Sequence, residues 1–235
     1  MKALKLKTSA AFTLCAATLL LVAVDAEAHT TASPCVGRDG RIPQLLPMDE
    51  ASRRSDFVAF RREIIDIVRR QDEPAFLQRV HPQVKVGFDG SGGVAAFRAR
   101  HLDRDAAAFW SELEWILERG GAFIEPMTFA APYVYASWPD DLDSFECLAV
   151  TGTRVRVRER PALTARVIAL VDYSILQAGI SDTGPGVSAG WRGMRLADGR
   201  SGYIAERYVR SPIDHRALFS YMDGRWWLTA YVAGD

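Results

Sequence analysis

The sequence is short of several things, and each shortage excludes a class of protein. It carries no net charge, since 29 lysines and arginines offset 29 aspartates and glutamates. Without an overall positive field the chain lacks the attraction that dominates phosphate-backbone binding, so a nucleic-acid partner is excluded. No internal repeat or low-complexity tract is present, and with 49% hydrophobic and 25% charged residues the chain is neither disordered nor fibrous. No apolar stretch beyond residue 28 is long enough to span a membrane. Motifs that would announce chemistry are missing as well. There is no His-Glu-x-x-His or paired His/Cys spacing for zinc, no Gly-x-Ser-x-Gly elbow, and no Lys-Ser or Lys-Thr after the glycines at 90–93 to make a phosphate loop. No cofactor or metal is therefore expected.

What is present begins with an address. Residues 1–28 combine Lys2, Lys5 and Lys7, an apolar run over 10–24, and Ala26-Glu27-Ala28, the small-x-small form of a leader-peptidase site. The expectation is a signal peptide, hence a periplasmic or secreted protein with no transmembrane segment once the leader is removed. The leader carries three lysines, Asp25 and Glu27, so the remaining 207 residues hold 26 basic and 27 acidic side chains, with Lys85 the single lysine among them. An arginine excess of this kind accords with an arginine-rich codon bias and also with an anionic partner, because the guanidinium fork grips carboxylate and phosphate in two places.

Cys35 and Cys147 are the cysteines left in a compartment that oxidises thiols, and they are expected to pair and to pin residues 30–47 onto the fold. A catalytic cysteine with His81, His101 or His215 as partner is the weaker reading, because no family signature surrounds either cysteine.

Spacing then predicts the elements. Phe57, Phe60, Ile64, Ile67 and Val68 recur every three or four residues, which predicts an amphipathic helix capped by Ser55 and closed by Arg69 and Arg70. Asp72 and Pro74 start a short helix. Val84, Val86 and Phe88 alternate as a strand. After the glycine turn 90–93, helices are expected over 94–101 and 105–119, with Gly120 as the stop. Strand-like pieces follow at 123–129 and 133–138. From Thr151 short alternating strands separated by Gly, Pro and Asp-Gly turns predict a small all-β unit, and Asp223-Gly224 closes a final hairpin.

Four segments in that unit carry a resemblance: Val155-Arg156-Val157-Arg158-Glu159-Arg160-Pro161, Arg166-Val167-Ile168-Ala169-Leu170, Gly190-Trp191-Arg192-Gly193-Met194, and Asp198-Gly199-Arg200-Ser201-Gly202-Tyr203-Ile204. Together, over residues 151–209, they resemble the bacterial SH3-like (SH3b) family, with Met194 where that family usually has valine and a long loop over 178–189. The resemblance implies a small antiparallel barrel, often attached to secreted proteins, that binds cell-wall peptidoglycan or peptides. The order of elements before it weakly resembles the α+β cone of the nuclear-transport-factor-two-like superfamily. The fold class expected is thus α+β, with N-terminal helices packed on an antiparallel sheet plus an SH3-like barrel. The divisions are a leader at 1–28, an extended segment at 29–54, an α+β domain at 55–148 and the barrel at 149–211. Residues 212–235 either complete the α+β sheet, making the barrel an insertion, or extend the barrel by a hairpin.

Candidate ligand contacts are Trp191, Tyr203 and Tyr208, flat surfaces on which an extended chain or sugar ring can lie, although Trp191 and Tyr203 would equally serve as core. Arg154, Arg156 and Arg158 fall on one strand face and could meet wall-peptide carboxylates, or simply be solvated. Asp140, Asp141, Asp143 and Glu146 lack calcium spacing and read as a turn and cap. Binding of peptidoglycan or an envelope protein is favoured over catalysis because module motifs are present and a catalytic constellation is not. The alternative is a small enzyme or small-ligand binder with a pocket in the α+β part, using Asp89, His81 or Tyr133.

Overall fold

The computed structural model describes residues 33–179 and 189–234, so the leader expected over 1–28 and most of the loop over 178–189 lie outside the described residues. A short 3-10 turn, Ala51–Arg53, leads into α1, Ser55–Arg69. Its five apolar positions are all buried, as their spacing requires. The helix starts on Ser55 rather than after it. Arg54 occupies the cap without a side-chain cap bond, and Asp56 in the first turn receives Arg54 instead.

In α2, Glu73–Leu77, the Asp72 carboxylate accepts the Ala75 N–H at 3.2 Å, and Pro74 sits in the first turn. Strand β1, Val80–Lys85, starts four residues before the expected alternation and ends before Phe88, which is exposed. The glycine loop then folds back, with the Gly93 N–H bonded to the Val84 carbonyl. Helix α3, Val94–Phe97, a π stretch over Arg98–Leu102 and α4, Asp103–Glu118, run on from one another. The expected break between two helices is only a kink at Asp105, whose side chain accepts the Ala108 N–H and so restarts the helix.

Strands β2, Ala122–Glu125, and β3, Thr128–Ala131, divide the single strand expected over 123–129 into a hairpin. Residues 133–138 are not a strand. Tyr133–Ala136 form one helical turn, α5, after Pro132. A turn lets consecutive side chains leave in different directions, so Tyr133 and Val134 enter a core with Cys35 and Cys147 while Tyr135 meets Arg216.

The remaining strands are β4 Cys147–Val150, β5 Val155–Arg158, β6 Val167–Val171, β7 Ile175–Ala178, β8 Trp191–Arg195, β9 Ser201–Ala205, β10 Val209–Arg210, β11 Arg216–Met222 and β12 Arg225–Val232. They make two sheets. The first has the order β1-β12-β11-β3-β2, antiparallel except that β1 joins β12 in parallel. The second has the order β10-β4-β7-β8-β9-β5-β6, antiparallel throughout, and among the described residues no pairing joins β10 to β6, so it is an open sheet.

Helices α1 and α4 cover one face of the first sheet. Ala217, Phe219, Leu228 and Tyr231 point into that core together with Phe57, Ile64, Leu113 and Ile116. Their alternates Arg216, Leu218, Ala230 and Val232 therefore face the other way. The second sheet packs on Val155, Val157, Met194 and Ile204. Between these cores the Cys35–Cys147 disulfide joins a third cluster, while the Leu45 N–H and Pro43 carbonyl bond the backbone of Tyr173 and Ile175. No helix among the described residues is long and apolar enough to cross a membrane.

Candidate functional site

Five of the six ligand-contact candidates line one cleft on the second sheet. Strand β5 buries Val155 and Val157, which forces Arg156 and Arg158 to the opposite face. Arg154 precedes the strand in the left-handed region, at φ 50°, anchored by its N–H on the Asp172 carboxylate at 2.7 Å. It is therefore not part of the strand face, yet it lines the same cleft as Arg156, Arg158, Trp191 and Tyr208. The cleft encloses about 160 Å³. Trp191 is half-buried and stands outside the apolar cluster beneath the sheet, so its ring forms a wall rather than core.

The cleft's charge is one-sided. Arg207, whose guanidinium lies 4.8 Å from the Tyr208 ring centroid, adds a fourth cation. No aspartate or glutamate lines the cleft, and no described carboxylate lies within 4.0 Å of these four guanidinium groups. Arg158 is partly engaged, donating to the Ala165 carbonyl at 2.7 Å. Neighbouring acids are turned elsewhere, Glu159 to Arg166 and Glu206 to Arg192. Such an arrangement can bind an extended anion against two aromatic faces. Arg207 escaped the sequence reading because its relevance comes from a 3-10 turn, Glu206–Tyr208, that aims it back at the cleft. Tyr203 does not join the cleft. It pairs across from Gly193 on β8 and lines a separate hollow with Gly179 and Arg195.

The first sheet assembles a second polar group that spacing alone did not reveal. Glu112 on α4 accepts the Tyr231 hydroxyl at 3.1 Å, pairs with His215 Nδ1 at 2.9 Å and with Arg210 Nη2 at 3.0 Å. The His215 ring stacks on Tyr231 with centroids 4.7 Å apart, and His101 lies edge-on to Tyr231. Burial works to raise the Glu112 carboxyl, but His215 and Arg210 outweigh it and hold it at about 2. Burial, reinforced by the His215 charge, lowers His101 to about 4, and its Nε2 has no hydrogen-bond partner. Arg210 Nε lies 3.4 Å from Asp214, an ion pair without hydrogen-bond geometry. These residues are scattered over 101–231, so only the packing of α4 against β11 and β12 unites them.

The other candidates lie apart. Asp89 is exposed and bonded to Ser91 and Arg100; the His81 Nδ1 accepts the Gln83 N–H; Tyr133 is buried, which pushes its hydroxyl up to about 12. Asp143 caps the turn before β4 by accepting the Phe145 and Glu146 N–H groups, and Asp141 meets Arg38. Among the described residues no three His, Cys, Asp or Glu side chains are grouped to hold a metal.

Comparison with known proteins finds no family model, no curated protein sequence and no solved structure that matches the chain.

Proposed function

We propose that the protein is an exported, non-catalytic binding protein of the cell envelope, whose second sheet carries an SH3-like module that holds a carboxylate-bearing wall peptide. The observation that carries this reading is the cleft itself, which gathers four arginines and two aromatic rings with no acid among its lining. Burying a carboxylate there exchanges its water for charge-assisted hydrogen bonds, each worth about 1.5–3 kcal/mol, while the flat rings accept an extended backbone. The SH3-like reading is supported by placement: the four sequence segments that prompted it lie on β5, β6, β8 and β9, which are contiguous in the sheet. A leader-like N-terminus and a disulfide fit a periplasmic or secreted setting.

The test is co-sedimentation of the purified protein with isolated peptidoglycan, followed by titration of a synthetic stem peptide with free or amidated carboxyl groups. The free peptide is expected to bind at least about tenfold tighter than the amide, and Arg154→Gln with Arg156→Gln, or Trp191→Ala, to weaken it by a similar factor. No co-sedimentation at moderate salt, or equal binding by the variants, would overturn the proposal.

A further inference from the structure

The face of the first sheet that points away from the helices carries a buried positive charge for which the described chain provides no anion. Arg216 opens β11 and is only 5% exposed. Its guanidinium is held between two rings, 4.6 Å from the Tyr135 centroid and 5.4 Å from that of Phe88, and Nη1 donates to the Gly234 carbonyl at 2.7 Å. No carboxylate among the described residues lies within 4.0 Å of it. The nearby acid on the glycine loop, Asp89, is turned to Ser91 and Arg100 instead. The two most buried arginines that do form ion pairs, Arg61 with Asp49 and Arg210 with Glu112, are by contrast each matched by an acid. A buried cation without a counter-ion is costly, and its retention in a fold calls for a reason.

Arg216 also lines the molecule's pocket of about 730 Å³ on this face. The floor is Leu218, Ala230 and Val232, a set fixed by the pairing of β11 with β12, and Phe88 and Tyr135 stand at the sides. The glycine loop forms the remaining wall at a distance only glycine permits: a Cβ on Gly92 would come within 2.9 Å of the Val84 carbonyl oxygen. Lys85, which pairs with Ala230 and so shares the outward face, adds a second cation among the lining residues. One buried guanidinium at the end of an apolar chamber matches a ligand with one negative head and an apolar body.

We infer that this pocket is a second binding site, separate from the arginine cleft of the other sheet, and that it takes a small monocarboxylic acid whose carboxylate meets Arg216 and whose apolar part lies on Leu218, Ala230 and Val232. The aromatic clamp holds the guanidinium plane fixed, so two of its N–H groups can present a fork to the carboxylate without losing further freedom on binding.

The experiment measures thermal unfolding of the purified protein with hexanoate and phenylacetate, their uncharged amides hexanamide and phenylacetamide, and inorganic phosphate. Both acids are expected to raise the melting temperature in a saturable way, with the amides and phosphate without effect. Arg216→Gln should weaken the acids at least tenfold. Leu218→Trp, which fills the chamber from a half-buried position and leaves Arg216 in place, should abolish the response while circular dichroism remains that of the parent. Equal responses to acids and amides, a response to phosphate alone, no response to either acid, or an unchanged response in Leu218→Trp would each overturn the inference.

Discussion

His101 is a residue whose protonation the fold resists. Burial lowers it to about 4 from an ordinary 6.5, so between those values the unfolded chain binds a proton that the folded chain does not. Stability must then fall as the pH drops through that window, by up to about 1.4 kcal/mol per pH unit. Glu112, lowered from 4.5 to about 2, extends the same loss to still lower pH, because its ionised form is what the fold binds. His101→Phe keeps a ring of similar size and removes both the titration and the unpartnered Nε2. Urea unfolding at pH 7 and pH 4.5 is expected to show a stability difference at least about 1 kcal/mol smaller in the variant than in the parent. An unchanged difference would place the acid sensitivity elsewhere. None of this was legible in the sequence, where His101 and His215 are 114 positions apart and only an observed ring distance of 5.5 Å makes them neighbours.

At the scale of elements, the end of α4 depends on a backbone approach. Gly120 has φ +75°, and a Cβ there would lie 2.3 Å from the Met48 carbonyl oxygen. Gly199, in the turn between β8 and β9, has φ +81° and nothing within 4 Å. Alanine at Gly199 should therefore cost about 1 kcal/mol, the conformational part alone, whereas Gly120→Ala should cost at least about 2 kcal/mol more because backbone must move. Comparison of the two melting temperatures checks it. The elements that were legible were those in which one signal dominates. The three-and-four spacing of α1, the Asp72 cap and the Asp223-Gly224 hairpin each specify local structure without help from distant residues. Residues 133–138 misled because aromatic, β-branched composition favours strand, while the requirement to bury Tyr133 and Val134 together favours a turn. The arginine cleft was half legible: alternation around Val155 and Val157 put Arg156 and Arg158 outward, but Tyr203 and Arg207 depend on register and on a turn that no period encodes.

Across the whole molecule, the disulfide closes a loop of 112 residues that runs from the N-terminal segment through β1, β2 and β3 to β4. On the chain-entropy account such a closure restricts the unfolded state by roughly 4–5 kcal/mol, an upper figure. Replacing both cysteines by serine should lower the urea midpoint substantially, with residues 33–47 the first to lose hydrogen-exchange protection, because apart from buried Leu45 they are held by backbone bonds to residues 173–175, the Ser33–Gln177 and Gln44–Asp172 bonds and the Arg38–Asp141 surface pair. A midpoint unchanged by the double substitution would show that the crosslink contributes little. The pairing was readable once the leader's cysteine was set aside and two were left for an oxidising compartment, whereas the Arg216 pocket joins residues 82–93, 135 and 216–232 and becomes visible only when β12 lies parallel to β1. That strand order has a further meaning in time. β11 and β12 are made after every strand of the second sheet, yet they occupy the middle of the first, between β1 and β3. During synthesis α1, α4 and the outer strands of the first sheet have no central strands to close upon, and the long-range pairing of that sheet must wait for the last hairpin. The first sheet therefore stays open, with the apolar faces of α1 and α4 uncovered, until the last hairpin emerges.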